Sequence, residues 1–139
     1  MNQIPNGGVV LNPLSEVAFS RADRDALLHS GLIALDCSWK KAEEIFAYSR
    51  FGVQRALPYL LAANPINTYK PIKLSTAEAI AAALYIAGFK EIAEDIMSVF
   101  KWGPSFITLN HELLEEYSRC ATSGEVVQIQ REYMELQSR

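Results

Sequence analysis

The sequence predicts an α/β N-terminal half built on a small parallel sheet, residues 1–56, packed against an all-α C-terminal half, residues 57–139. Three observations predict it. Short apolar runs fenced by glycine, asparagine and proline alternate with an amphipathic helical stretch before Pro58. Beyond that point the apolar residues recur at helical spacing. A capping box, Ser75-Thr76-Ala77-Glu78, opens the first long helix of the second half.

Val9-Val10-Leu11 lies between Gly7-Gly8 and Asn12-Pro13 and reads as a buried strand. Ser20, with Asp23 three residues on, starts a helix striped by Leu27 and Leu28 and stopped by Gly31. Leu32-Ile33-Ala34-Leu35 is the second strand, and strands joined by a helix pair in parallel through a right-handed crossover. A helix over 39–48 places Trp39, Ala42, Ile45 and Phe46 on one side, and 54–57 forms a last strand. An alanine-rich helix then runs from the Ser75 cap to Ala87 and ends at Gly88. Ile92, Ile96, Val99 and Phe100 stripe the next one, and Gly103-Pro104 breaks the chain after it. Leu109, Leu113, Leu114 and Tyr117 make a further stripe; Val126, Val127, Ile129, Tyr133 and Met134 make a last, less regular one. There are no repeats and no low-complexity linker.

With 139 residues, 50% hydrophobic and 21% charged, the chain can bury a core and is not disordered as a whole. Its longest apolar stretch, 79–89, falls well short of the ~20 residues that cross a bilayer. The first residues show no basic region followed by an apolar run, so no secretory signal is expected and a cytoplasmic protein is. Cys37 and Cys120 have no neighbours at zinc spacing, so neither a disulfide framework nor a metal site is expected. A net charge of −3 argues against a strongly cationic nucleic-acid binder, but the charge is uneven. Residues 45–74 carry Arg50, Arg55, Lys70 and Lys73 and no acid. Either an anion meets this stretch, or the gap is a chance feature of a half-buried segment.

Asp36-Cys37-Ser38-Trp39 follows a strand and precedes a helix, where open parallel sheets place ligand-binding residues. Asp36 could take an amine or a proton there and Trp39 could wall an apolar group; equally, Asp36 or Ser38 caps the helix and Trp39 fills core, the commoner arrangement. Asn64 and Asn67, in a loop with Pro65 and Pro71, are by default Asx-turn formers. Free N–H groups at the Ser75 helix start suit a carboxylate, ring nitrogen or phosphate, or simply an ordinary cap. Lys101-Trp102-Gly103-Pro104-Ser105-Phe106 joins a cation to two aromatics, which wedge between helices more often than they stack on a base. His29 and His111 stand alone, and Cys37 has no activating histidine nearby. Glycine-rich phosphate loops, GxSxG elbows and zinc signatures are all missing.

Four spaced blocks carry a family resemblance: Asp36-Cys37-Ser38-Trp39; Arg55-Ala56-Leu57-Pro58-Tyr59-Leu60 running into Ala62-Ala63-Asn64-Pro65-Ile66-Asn67; Lys73-Leu74-Ser75 with Glu78-Ala79; and Phe100-Lys101-Trp102-Gly103 with Leu109-Asn110. Together they resemble the ribosome-biogenesis family of small-subunit rRNA aminocarboxypropyltransferases. The resemblance implies an S-adenosylmethionine-dependent enzyme with a SPOUT-like, trefoil-knotted α/β part, a monomer in the cytoplasm that needs no metal and no membrane. It implies transfer of the 3-amino-3-carboxypropyl group to a modified uridine, N1-methylpseudouridine in many members, of small-subunit rRNA or its pre-ribosomal particle. By matching positions, Leu35, Asp36, Trp39 and Ala42 would surround the ribose and methionine portions of the donor, and Leu57, Ile72 and Thr76 its adenine end. Asp36 would be the catalytic candidate, through positioning rather than proton abstraction. Arg50, Arg55, Lys70 and Lys73 would meet RNA phosphates, with Lys101 near the target loop. A non-catalytic RNA-binding or assembly module and a plain SPOUT-type methyltransferase are the alternatives. Two departures stand out: the family's first strand and helix have no counterpart here, implying a shortened chain with an exposed sheet edge, and Asn67-Thr68-Tyr69 replaces the usual Asn-Tyr-Gly.

Overall fold

The computed structural model describes residues 8–34, 52–66 and 74–137. Strands β1 (Gly8–Leu11), β2 (Leu32–Ala34) and β3 (Gly52–Arg55) form a parallel sheet in the order β2-β1-β3. Val9 stands opposite Leu32 on one side and Val53 on the other. As the central strand, β1 is buried along its whole length, whereas β2 and β3 are half-buried throughout.

Between β1 and β2, a 3-10 turn (Arg21–Asp23) leads into α1 (Arg24–Ser30). The Ser20 and Asp23 capping box forms as the tetrad predicts, and Gly31 ends the helix at φ 93°, a left-handed conformation that a side chain would resist. The third strand lies two residues earlier than its apolar run indicates, because Pro58 cannot donate to a ladder and Ala56 instead bridges to Ala18. The expected helix over 39–48 and the strand end at Leu35 lie outside the described residues.

The helical half comprises α2 (Thr76–Ile86), α3 (Lys90–Met97), α4 (Gly103–Leu109), α5 (His111–Arg119) and α6 (Ser123–Gln137). α2 packs against α3, α5 and β2, and its Ala81, Ala82, Ala83 and Ile86 are wholly buried. Small side chains let the neighbours approach on every side, as befits a helix without a solvent stripe.

Two sequence expectations need correction here. The stripe Ile92, Ile96, Val99, Phe100 holds only in part: Ile96 and Phe100 pack partly buried against the core, but Ile92 is 50% exposed, Val99 is 78% exposed, and the fully buried residues of α3 are Ala93 and Met97. Close packing on the alanine-rich α2 favours the small Ala93, and the helix ends at Met97, so Val99 and Phe100 leave the helical phase. Nor does Gly103-Pro104 merely interrupt the chain. It starts α4, with proline in the first turn where no N–H is needed. A Cβ on Gly103 would run into the Met97 carbonyl oxygen, so only glycine lets the turn fold back onto the end of α3.

One apolar cluster joins the two halves. Val9, Leu11 and Phe19 belong to the same core as Ile86, Met97, Phe106, Leu114, Tyr117 and Val126.

Candidate functional site

Parallel pairing brings the carboxyl ends of β1, β2 and β3 to one edge, the usual ligand side of such sheets. The chain leaving β1 returns along this edge: Asn12 N–H donates to the Arg55 carbonyl at 2.8 Å, Ala56 N–H to Val17 at 2.8 Å, and Phe19 N–H to Ala56 at 2.7 Å. Asn12 Nδ2 donates to Gln54 Oε1 at 3.1 Å, while Gln54 Nε2 is buried with no hydrogen-bond partner among the described residues. Arg55 Nε meets Asp23 Oδ1 at 3.0 Å, and its Nη1 donates to the Gln54 carbonyl at 2.8 Å.

Past β3, residues 57–66 run between the sheet and the helices, and the helices grip every second residue. Tyr59 N–H donates to Gln130 Oε1 at 2.8 Å, Leu61 N–H to Asn110 Oδ1 at 2.8 Å, and Ala63 N–H to Glu78 Oε2 at 2.7 Å. Carbonyls on the same side are engaged too: Asn110 Nδ2 donates to Leu61 at 2.8 Å and the Tyr117 hydroxyl to Tyr59 at 3.0 Å. Burial pushes the Tyr117 phenol up, which keeps it protonated for that donation. This is the period of an extended strand, with side chains standing in for a neighbouring strand.

Glu78 closes the far end. It is the third residue of α2 and 0% exposed. Oε1 accepts from Ser75 N–H at 2.8 Å, completing the capping box, and from Asn64 Nδ2 at 2.7 Å, while Oε2 accepts from Ala63. Three N–H donors and a helix start satisfy this buried carboxylate. Asn64 is therefore a buried tertiary contact rather than only the Asx-turn former its type suggests. Asn110, 2% exposed, adds a third bond by donating to the Phe106 carbonyl at 3.0 Å.

Among the other sequence-predicted site residues, Leu57 is half-buried against the core, and Thr76 is exposed at the first position of α2. Lys101 is exposed beside the Phe100 and Trp102 rings, which stack at 4.9 Å. Arg55 shares its guanidinium with Asp23, so it is not an uncommitted phosphate contact. Leu35, Asp36, Trp39, Ala42, Arg50, Lys70, Ile72 and Lys73 lie outside the described residues, as do Cys37 and Asn67. The only structural role that the sequence pattern indicates for Glu78 is a helix cap, and it indicates none for Asn110 and Gln130; the faint signal is that Glu78 and Asn110 both stand in resembling blocks.

A separate polar cluster holds α2, α3 and α5 together. Glu115 accepts from the Tyr85 hydroxyl, pairs with Lys90 at 2.8 Å, and has Arg119 at 3.7 Å. The Lys90 hydrogen bond, helped by Tyr85, holds the Glu115 carboxyl below its ordinary range. Among the described residues, no three His, Cys, Asp or Glu side chains gather to hold a metal ion. No described helix is long and apolar enough to cross a membrane.

Comparison with known proteins adds to this geometry. Residues 9–134 match the family described as "Ribosome biogenesis protein, C-terminal". The chain is 58% identical over 137 residues to the 16S rRNA aminocarboxypropyltransferase of Methanothermobacter thermautotrophicus, covering 96% of this chain and 80% of that one. It is 55% identical to the protein of the same description from Methanopyrus kandleri, over 94% of this chain and 78% of the relative. Among solved structures, the SAM-dependent rRNA:acp-transferase Tsr3 from Vulcanisaeta distributa superposes with a TM-score of 0.77 at 41% identity, covering 88% of this chain and 67% of that one.

Proposed function

The chain belongs to the ribosome-biogenesis protein family, and from that premise we propose that it is an S-adenosylmethionine-dependent rRNA aminocarboxypropyltransferase whose acceptor is a modified uridine, N1-methylpseudouridine, of small-subunit rRNA. The observation that carries this reading is 58% identity, over 96% of the chain, to a 16S rRNA aminocarboxypropyltransferase. A SPOUT-like fold with a trefoil knot, parts at 1–56 and 57–139, and a cytoplasmic monomer acting on rRNA or the pre-ribosomal particle complete the reading. No metal and no membrane enter it.

The donor would supply an electrophilic γ-carbon on a sulfonium sulfur. A uracil-ring nitrogen takes the aminocarboxypropyl group and gives up its proton, and methylthioadenosine leaves. What decides aminocarboxypropyl against methyl transfer is which carbon faces the nucleophile, a matter of orientation. Leu35, Asp36, Trp39 and Ala42 hold the methionine and ribose portions, with Trp39 and Ala42 shielding the methyl. Leu57, Ile72 and Thr76 line the adenine end. Asp36 positions the ammonium, a role that needs only an ionised carboxylate. Leu57 and Thr76 suit such a seat: one offers apolar surface beside the strand ends, the other stands at a helix start. Arg50, Lys70 and Lys73, with Lys101 to one side, meet the RNA phosphates, and Arg55 contributes less because Asp23 already engages it.

The test incubates the protein with S-adenosylmethionine and small-subunit precursor RNA, then reads the nucleosides by mass spectrometry. The expected result is one aminocarboxypropyl mass on a uridine derivative, with methylthioadenosine released. A methyl mass, or RNA binding without either product, sinks the reading.

A further inference from the structure

Glu78 is the most thoroughly buried carboxyl group among the described residues, and the reaction scheme leaves it unused. As a helix cap alone it would need only one oxygen, the one that accepts Ser75 N–H. Its remaining acceptor capacity is spent on a different stretch of chain, at Ala63 and Asn64. The carboxylate thus staples the end of the 57–66 segment to the first turn of α2. These are the two segments that carry Leu57 and Thr76, the described candidates for the donor's adenine end. A neutral amide cannot reproduce the arrangement, because three N–H donors converge on two oxygens and an amide presents only one acceptor atom. A buried charge is also an expensive way to gain stability alone, whereas it fixes one geometry well.

We propose that Glu78 is a positioning residue for S-adenosylmethionine binding: by joining Ala63 and Asn64 to the start of α2 it sets the placement of Leu57 against Thr76. This rests on the aminocarboxypropyl-transferase reading. Because the adenine end is remote from the carbon that is transferred, the staple acts on donor affinity and hardly on the chemical step.

The experiment measures S-adenosylmethionine affinity by isothermal titration, and KM and kcat by nucleoside mass spectrometry, on the full chain at a temperature where circular dichroism shows each variant folded. Glu78→Gln should raise both Kd and KM by about fivefold or more and leave kcat within about threefold of the unaltered protein. Asn64→Ala, which leaves the carboxylate two of its N–H partners, should do the same more weakly, and it decides the matter if Glu78→Gln does not fold. Glu115→Ala is the control for general loosening: it removes the Lys90 and Tyr85 contacts of the other cluster, and should lower Tm while Kd stays put. Unchanged donor affinity in the folded Glu78→Gln protein overturns the proposal. So does a loss confined to kcat, or an equal loss of affinity in Glu115→Ala. If the unaltered protein neither binds the donor nor modifies RNA, the transferase reading itself fails, which is a separate result.

Discussion

The chain uses the same four-residue device twice, and the two copies differ in what the acidic residue does with its spare oxygen. At Ser20 and Asp23 the second carboxylate oxygen meets a full positive charge, Arg55 Nε at 3.0 Å, tying the start of α1 to the end of β3. At Ser75 and Glu78 the second oxygen meets Ala63 N–H, and Asn64 Nδ2–H shares the oxygen that accepts from Ser75. The first pair is partly open to water, with Arg55 half-buried, and the second is sealed. A charge partner tolerates solvent and some misalignment; a set of neutral dipoles holds an anion only when each donor is aimed at it. The sealed copy is therefore the more exacting of the two, and it lies beside the candidate donor seat.

Three experiments sharpen or break this contrast. The largest effect is expected for Glu78→Ala, which leaves three N–H donors, two of them buried, without their acceptor and should cost about 3 kcal/mol or more in denaturant unfolding. Asp23→Ala should cost clearly less, since Arg55 can turn to water; equal losses would erase the distinction. Next, a double-mutant cycle on Asp23 and Arg55 should give a coupling of about 1 kcal/mol that shrinks as salt is raised. The cycle on Glu78 and Asn64 should respond far less to salt, and the opposite ordering would show that exposure has been misjudged. The smallest effects belong to the caps themselves: Ser20→Ala and Ser75→Ala should each cost about 1 kcal/mol. Thermal or urea unfolding checks whether the two serines are as alike as their geometry.

Both boxes, and the helix stop at Gly31, were legible in the sequence because they are local: cap, acid and glycine sit within a turn of one another. The three strands were legible to within about two residues, and their parallel pairing followed from the crossover rule. What the pattern could not show is where a side chain goes once its local duty is done. Ala63 and Asn64 precede Glu78 by 15 and 14 positions, and Asn110 reaches Leu61 across 49. No periodicity links such pairs. The α3 stripe held only at Ile96 and Phe100 for a related reason: extrapolating a period assumes the helix continues, and it stops at Met97. Asp36, Trp39 and Ala42 drew their roles from family resemblance, since an acid after a strand is equally an ordinary cap.

The gripped segment also has an order of assembly written into it. The side-chain acceptors of its amides arrive late in synthesis, the last being Gln130, which is 71 positions beyond Tyr59. At about 5–20 residues per second, the Tyr59 amide waits roughly 4 to 14 s after it is made before that partner exists. The sheet edge and the start of α2 can form while the chain is still being extended, and Glu78 and Asn110 can then hold Ala63 and Leu61, but the third grip, on Tyr59, closes only when the final helix docks. A nascent chain lacking that helix would carry the candidate donor seat with the end nearest Leu57 untied.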